Sequence, residues 1–185
     1  MALEHALLVS LLEKPSSGYE LARRFDRSIG HFWHATHQQI YRVLSRMESD
    51  GWIVAEVLTG MTAPDRKEFT VTPQGREEIA RWLDQPSEPE NPRVALMVKM
   101  RALVFDDPAR LIPELERHRD EHAKRVADYR AIETRDFLAQ PAPLNRRQAL
   151  HHLVLKSGLR YEQGWLDWCD EALALLRSFD DDATS

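Results

Sequence analysis

Residues 36–53 read THQQIYRVLSRMESDGWI, and the rest of the chain is best read outward from them. Ile40, Val43, Leu44 and Met47 recur at helical spacing and make one side of a helix apolar. The other side carries Thr36, His37, Gln38, Gln39, Tyr41, Arg42 and Arg46. Hydroxyls and amides both donate and accept, which suits base edges in the major groove, while arginine suits guanine or phosphate. Asp50-Gly51 stops the helix, and Trp52 to Leu58 then alternates in the manner of a strand.

Upstream, Ala6 to Leu11 forms a small helix ended near Pro15. Ser16 or Ser17 caps a second helix with Tyr19, Leu21, Ala22 and Phe25 on one stripe, broken by Gly30. Downstream, Glu68 to Thr72 is a second strand, separated from the first by the polar stretch TGMTAPDRK, so the pair forms a hairpin with a projecting tip. Thr72 and Pro73 open a fourth helix, with Ile79, Trp82 and Leu83 on its apolar face. Helix, helix, polar turn, helix and hairpin is the order of a winged helix-turn-helix. Arg66 and Lys67, near the tip, are placed to reach a phosphate or the minor groove.

The stretch QPSEPENPR over residues 85–93 holds three prolines and divides the chain. The expected organisation is a winged helix domain over 1–85, a proline-rich linker over 86–93 and a helical dimerisation region over 94–185. The fold class is therefore mainly α, with a two-stranded wing. Val94 to Val104 is apolar on most sides and reads as buried. A long charged helix capped by Asp107-Pro108 runs from about Ala109 to Phe137. The last helix starts at Asn145 and runs to about Phe179. Along it Leu150, Val154, Ser157, Tyr161, Gly164, Trp168, Ala172, Leu175 and Phe179 form a heptad-like seam suited to a second copy of the chain.

Composition narrows the function further. Lys plus Arg is 25 against 30 Asp plus Glu, a net charge of −5, which argues against a non-specific nucleic-acid coat but not against a local basic face. The single cysteine, Cys169, excludes an intrachain disulfide and a cysteine-rich zinc module, and points to a reducing, cytoplasmic compartment. Met1 to Leu12 lacks the marks of an export signal, and no apolar run approaches the roughly 18 residues of a membrane span. With no G-x-S-x-G, P-loop or G-x-G-x-x-G motif, the chain does not read as an enzyme, and no cofactor or metal is expected.

GYELARRF at 18–25, the run HFWHATHQQIYRVLSRMESDGWI at 31–53 and the wing PDRKEFTVTPQG at 64–75 resemble the PadR family of bacterial transcriptional regulators. The second half is similar to the longer carboxy-terminal region of the family's virulence-regulator-like branch. The resemblance implies a homodimer built by the carboxy-terminal helices, bound to an inverted-repeat operator in double-stranded DNA. Such a protein usually represses, and in some members a small molecule releases it. Carried over residue by residue, Tyr19 corresponds to a backbone-contacting Tyr, Tyr41 to the recognition-helix Tyr and Lys67 to the wing Lys. His37, Gln38 and Gln39 lie where the family varies. Thr36-His37 replaces a Ser or Gly of the family.

Other residues admit two readings. Tyr41 reads as a DNA contact or as a core residue with a wet hydroxyl. Trp33 and Trp52 read as core. His31, His34 and His37 are spaced by three, and His118 and His122 by four with Glu114 and Glu121 nearby. That second spacing suits a shared metal or a solvated or interface pair, with the latter favoured. Tyr161, Trp165 and Trp168 read as dimer packing or as the wall of an effector site. Cys169 reads as a small buried hydrophobe. The rival functions are a winged helix used for protein binding and a metal- or redox-responsive sensor.

Overall fold

A computed structural model describes residues 2–26, 35–58, 66–89, 93–139 and 142–183. Gly30, His31, Trp33, His34 and the hairpin tip at 59–65 lie outside the described residues. The chain forms two compact units, Met1–Glu90 and Asn91–Ser185, and the division falls inside the proline-rich stretch.

In the first unit the elements follow as α1 (Ala2–Glu13), β1 (Ser16–Ser17), α2 (Gly18–Asp26), α3 (His37–Ser49), β2 (Ile53–Leu58), β3 (Arg66–Val71) and α4 (Pro73–Leu83). Leu7, Leu8 and Leu11 of α1 are fully buried against Leu21, Ala22 and Phe25 of α2 and Ile40, Leu44 and Met47 of α3, with Ile53 and Phe69 of the sheet closing the core. The wing pairs antiparallel from Ile53↔Val71 to Leu58↔Arg66. The expected two-stranded wing has a third, short strand: Ser16 and Ser17 pair with Phe69 and Glu68, giving the order β1-β3-β2. Two residues are too few for an alternation to be read in sequence. Leu83, expected on the apolar face of α4, is exposed.

Local chemistry explains the turn from α3 to the wing and on to α4. Gly51 has φ +74°, the left-handed conformation in which glycine meets no Cβ penalty. Thr72 caps α4 by accepting the Gly75 N–H at 3.1 Å, while its own hydroxyl reaches the Gly51 carbonyl at 2.6 Å. Gly75 is pressed against the backbone: a Cβ there would sit 2.2 Å from the Trp52 carbonyl oxygen. A buried polar cluster joins α1 to α4. His5 Nε2 lies 2.8 Å from Glu78 Oε1, and the His5 ring stacks on Trp82 with centroids 4.5 Å apart. Arg81 grips Glu78 through Nε and Nη2 at 2.8 and 2.6 Å, so that Arg81 first and His5 second hold the Glu78 carboxyl below its usual range.

The second unit is helical: α5 (Ala95–Ala102), a 3₁₀ turn Leu103–Phe105, a second at Pro108–Leu111, α6 (Ile112–Glu133), a π turn Thr134–Leu138 and α7 (Arg146–Ala183). The long helix expected over 109–137 is thus divided, with Pro113 seated in the first turn of α6, where its missing N–H costs nothing. Asp107 accepts the Ala109 N–H at 2.9 Å, and Asn145 and Gln148 exchange reciprocal cap bonds at 3.0 Å before α7. Leu96, Leu111, Leu115, Ala172, Leu173 and Leu176 form the core.

Val94 to Val104 is not buried as expected. Within α5 only Leu96 is buried, and Val98, Val104 and Phe105 are 70, 82 and 90% exposed. A helix apolar on most sides needs neighbours on most sides, and within the second unit Leu96 is the α5 side chain buried in the core with α6 and α7.

The seam of α7 also departs from its simple reading. Leu150, Val154, Ser157, Tyr161, Gly164, Leu175 and Phe179 are exposed, but Ala172 is buried in the protomer's own core and Trp168 packs against it. A straight helix drifts by about 20° per heptad from a 3.5-residue repeat, which carries a long stripe partly off its starting face.

Gly75→Ala is expected to lower stability by about 2 kcal/mol or more, because the added methyl meets backbone that cannot rotate away. Thermal unfolding followed by circular dichroism measures this directly, and an unchanged midpoint would contradict the packing described.

Candidate nucleic-acid interface

The start of α3 is built by a capping box. Thr36 takes an extended conformation, its hydroxyl accepts the Gln39 N–H at 3.2 Å, and its own N–H donates to Gln39 Oε1 at 2.8 Å. The Thr36 hydroxyl and the Gln39 carbonyl oxygen are therefore engaged in holding the helix end, and the Gln39 amide NH₂ is the part of that pair left for other contacts. The first turn carries no acidic side chain, so the helix itself does not offset its positive end. His37 and Gln38 are exposed on that turn, and Arg42 is exposed one turn further on. Arg42 has no ion-pair or hydrogen-bond partner among the described residues.

Tyr41 is half exposed rather than buried, at 46%, which disfavours the core reading. Its ring lies against Gly18, where a Cβ would come within 2.5 Å of Tyr41 Cε1. That close approach sets the start of α2 beside α3. Ser17 and Glu20 cap α2 by exchanging bonds of 3.3 Å, and Tyr19 stands out from its first turn, 59% exposed, with the Arg23 guanidinium 5.8 Å from the ring centroid.

Two further cations, Arg46 and Lys67, are held by carboxylates. Arg46 pairs with Glu4 of α1. Burial alone would push the Glu4 carboxyl up, but its backbone hydrogen bond and Arg46 outweigh this and hold it low. Lys67 Nζ lies 2.9 Å from Glu48 Oε2 and 5.2 Å from the Phe69 ring centroid. Arg66 opens β3 opposite Leu58. Thr36, His37, Gln38, Gln39, Tyr41 and Arg42 thus share α3, Tyr19 comes from the adjoining helix, and Arg66 and Lys67 come from the wing. Trp52 packs on the core as expected. The His5–Glu78 couple was not anticipated; its only signal in sequence is a histidine inside an otherwise apolar α1.

In the second unit Tyr161, Trp165 and Trp168 are brought together. They line a cavity of about 320 Å³ with Met97, Arg160 and Gly164. Tyr161 and Trp165 also wall a neighbouring cavity of about 420 Å³ that includes Arg93, His118, His122 and Arg125. Trp168 meets Trp165 edge to face, at 5.5 Å and 86°.

The two members of the His118/His122 pair differ: His118 is partly exposed beside the Arg117 guanidinium, and His122 is not solvated. His122 is buried, with Nδ1 2.5 Å from Glu162 Oε2 and its ring stacked on Trp165 at 5.4 Å. No cluster of three or more metal-ligating side chains occurs among the described residues. Cys169 is fully buried, and burial together with Asp170 pushes its thiol up, away from the reactive thiolate.

Comparison with known proteins agrees with this architecture. The model of the transcriptional regulator PadR-like family matches residues 7–81, and that of the virulence activator alpha C-terminal region matches 92–177. The Probable transcriptional regulator Rv1176c of Mycobacterium tuberculosis is 43% identical over 187 residues, covering 96% of this chain and 98% of that protein. The Vibrio cholerae virulence activator AphA superposes with a TM-score of 0.79 at 33% identity, over 96% of this chain and 99% of AphA. Bacillus subtilis PadR, a negative transcriptional regulator, is 27% identical over 94% of this chain and 97% of its own length. Its structure with operator DNA superposes at a TM-score of 0.81, 24% identity, over 95% of this chain and 99% of that one. PadR has also been solved with p-coumaric acid, at a TM-score of 0.76, 24% identity and coverage of 96% and 99%. The chain belongs to the PadR-like family of transcriptional regulators.

Proposed function

We propose that the chain is a homodimeric, sequence-specific DNA-binding repressor that acts in the cytoplasm and is released by a small molecule. The observation that carries the DNA reading is the division of α3 into two faces. Ile40, Leu44 and Met47 are buried, while His37, Gln38, Tyr41 and Arg42 stand in solvent beside Tyr19. In this reading His37 and Gln38 read base edges, helped by the Gln39 amide. Tyr19, Tyr41, Arg42, Arg66 and Lys67 hold phosphates, and Thr36 shapes the helix end. The operator-bound structure of Bacillus subtilis PadR supports the reading by likeness of fold. No described helix is long and apolar enough to cross a membrane.

The same reading gives the segment 1–85 the task of binding DNA, 86–93 that of a linker and 94–185 that of pairing two protomers. Its support is the exposed stripe of α7, including Leu150, Leu153, Val154, Tyr161, Leu175 and Phe179. Such a stripe runs most of a helix about 57 Å long. The effector would enter the aromatic cleft of Tyr161, Trp165 and Trp168. Tyr161 and Trp168 belong to both the cleft and the seam, so a ligand there would alter the angle between protomers and pull the two recognition helices out of register with their half-sites. The p-coumaric acid complex of Bacillus subtilis PadR makes a small molecule a reasonable ligand class.

Two experiments test this. Arg42→Ala and Lys67→Ala are expected each to weaken binding to the DNA upstream of the protein's own gene. Arg42→Ala should also reduce the slope of log K against log salt by about one, as measured by fluorescence anisotropy, and Lys67→Ala by less, because Glu48 already neutralises that ammonium. Equal affinity with an unchanged slope would refute the assigned surface. Leu153→Asp/Val154→Asp is expected to convert a dimer to a monomer in sedimentation equilibrium, and a dimer of wild-type mass would refute the assigned seam.

A further inference from the structure

We propose that Glu48 is a built-in counter-charge that limits the protein's affinity for DNA by occupying Lys67 when no DNA is bound. The inference rests on the reading of α3 and the wing as the DNA-facing surface. Glu48 lies in the last turn of α3, at the negative end of the helix dipole, with Asp50 two residues on. A carboxylate there weakens the helix rather than supporting it, so helix stability does not account for it. It is not part of the core, being more than a third exposed. Among the described residues its carboxylate meets Lys67, at 2.9 Å across the α3–wing boundary.

A backbone phosphate and the Glu48 carboxylate compete for the same ammonium. Binding DNA through Lys67 therefore exchanges one anion for another instead of adding a contact. Arg46, held by Glu4, is restrained in the same way, although Glu4 is largely shielded and also ties α3 to α1. Of the cations on the α3 face, Arg42 alone has no such partner among the described residues. An interface with this arrangement keeps its sequence-independent phosphate attraction low and leaves discrimination to the base-reading turn. It also suits the net charge of −5 carried by a chain that must still approach a polyanion.

The test uses full-length protein and a duplex of unrelated sequence, so that only phosphate attraction is measured. Affinity is read by anisotropy between about 50 and 200 mM KCl. Wild type is compared with Glu48→Gln, Lys67→Ala and the double variant, each first matched for folding by circular dichroism. The expected result is binding about threefold tighter for Glu48→Gln with a steeper salt slope, the gain vanishing when Lys67 is already Ala. Unchanged or weaker binding by Glu48→Gln, with Lys67→Ala still weakened, would overturn the counter-charge while leaving the DNA surface intact. A gain that persists in the Lys67→Ala background would also overturn it, since Glu48 would then be repelling DNA without acting through Lys67. Lys67→Ala binding as tightly as wild type would instead reject Lys67 as part of the DNA surface, and the counter-charge with it.

Discussion

The amino-terminal unit depends on burying one face of α3. Ile40, Leu44 and Met47 have almost no exposed area, and they meet the leucines of α1 and the Leu21–Phe25 face of α2. The period of the helix then leaves no choice about where His37, Gln38, Tyr41 and Arg42 go. What remains is to fix the two ends. The Thr36–Gln39 box does so at the start, and Gly51, Thr72 and Gly75 at the finish bind α3, the wing and α4 into one turn of backbone. The solvent face of α3 is therefore presented by a frame in which neither end can fray independently.

The carboxy-terminal unit relies on a different constraint. Its α6 and α7 helices are joined by a series of polar links: Arg119 to Asp170, His122 to Glu162, Arg130 to Gln163, His152 to Glu133 and Glu116 to Arg177. The buried His122–Glu162 couple is the one that specifies register, since sliding either helix by a turn would strand a buried polar group. Gly158 lets the Tyr129 ring lie flat against α7, with its Cε2 3.0 Å from where a Cβ would stand. The opposite face of α7 is free to carry the apolar stripe because its inner face is so fully occupied.

Much of this was legible in the sequence because it follows from periodicity and from capping residues. The spacing of Ile40, Val43, Leu44 and Met47, the Asp50-Gly51 stop, the Thr72-Pro73 start and the Asn145 start each correspond to a local physical rule, and each element lies where the rule puts it. What escaped was non-local. β1 exists only because β3 offers it an edge, and the exposure of Val98 and Phe105 depends on which helices are present to cover them. Histidines looked alike in sequence, yet His5, His122 and His152 each lie against a glutamate brought from 19 to 73 residues away. Likewise no pattern in the sequence marks Glu48 as the partner of Lys67, or Gln39 as a cap rather than a free reader of bases. In the site as in the fold, residue type and spacing indicate which side chains of α3 face solvent, and tertiary pairing decides which of them are available.

Hydroxyl-radical footprinting of the region upstream of the protein's own gene tests the account most directly. Two recognition helices carried by a paired α7 should protect two patches about one helical turn apart on the same face of the duplex. A single isolated patch, or no protection at concentrations where the protein is folded and paired, would contradict it.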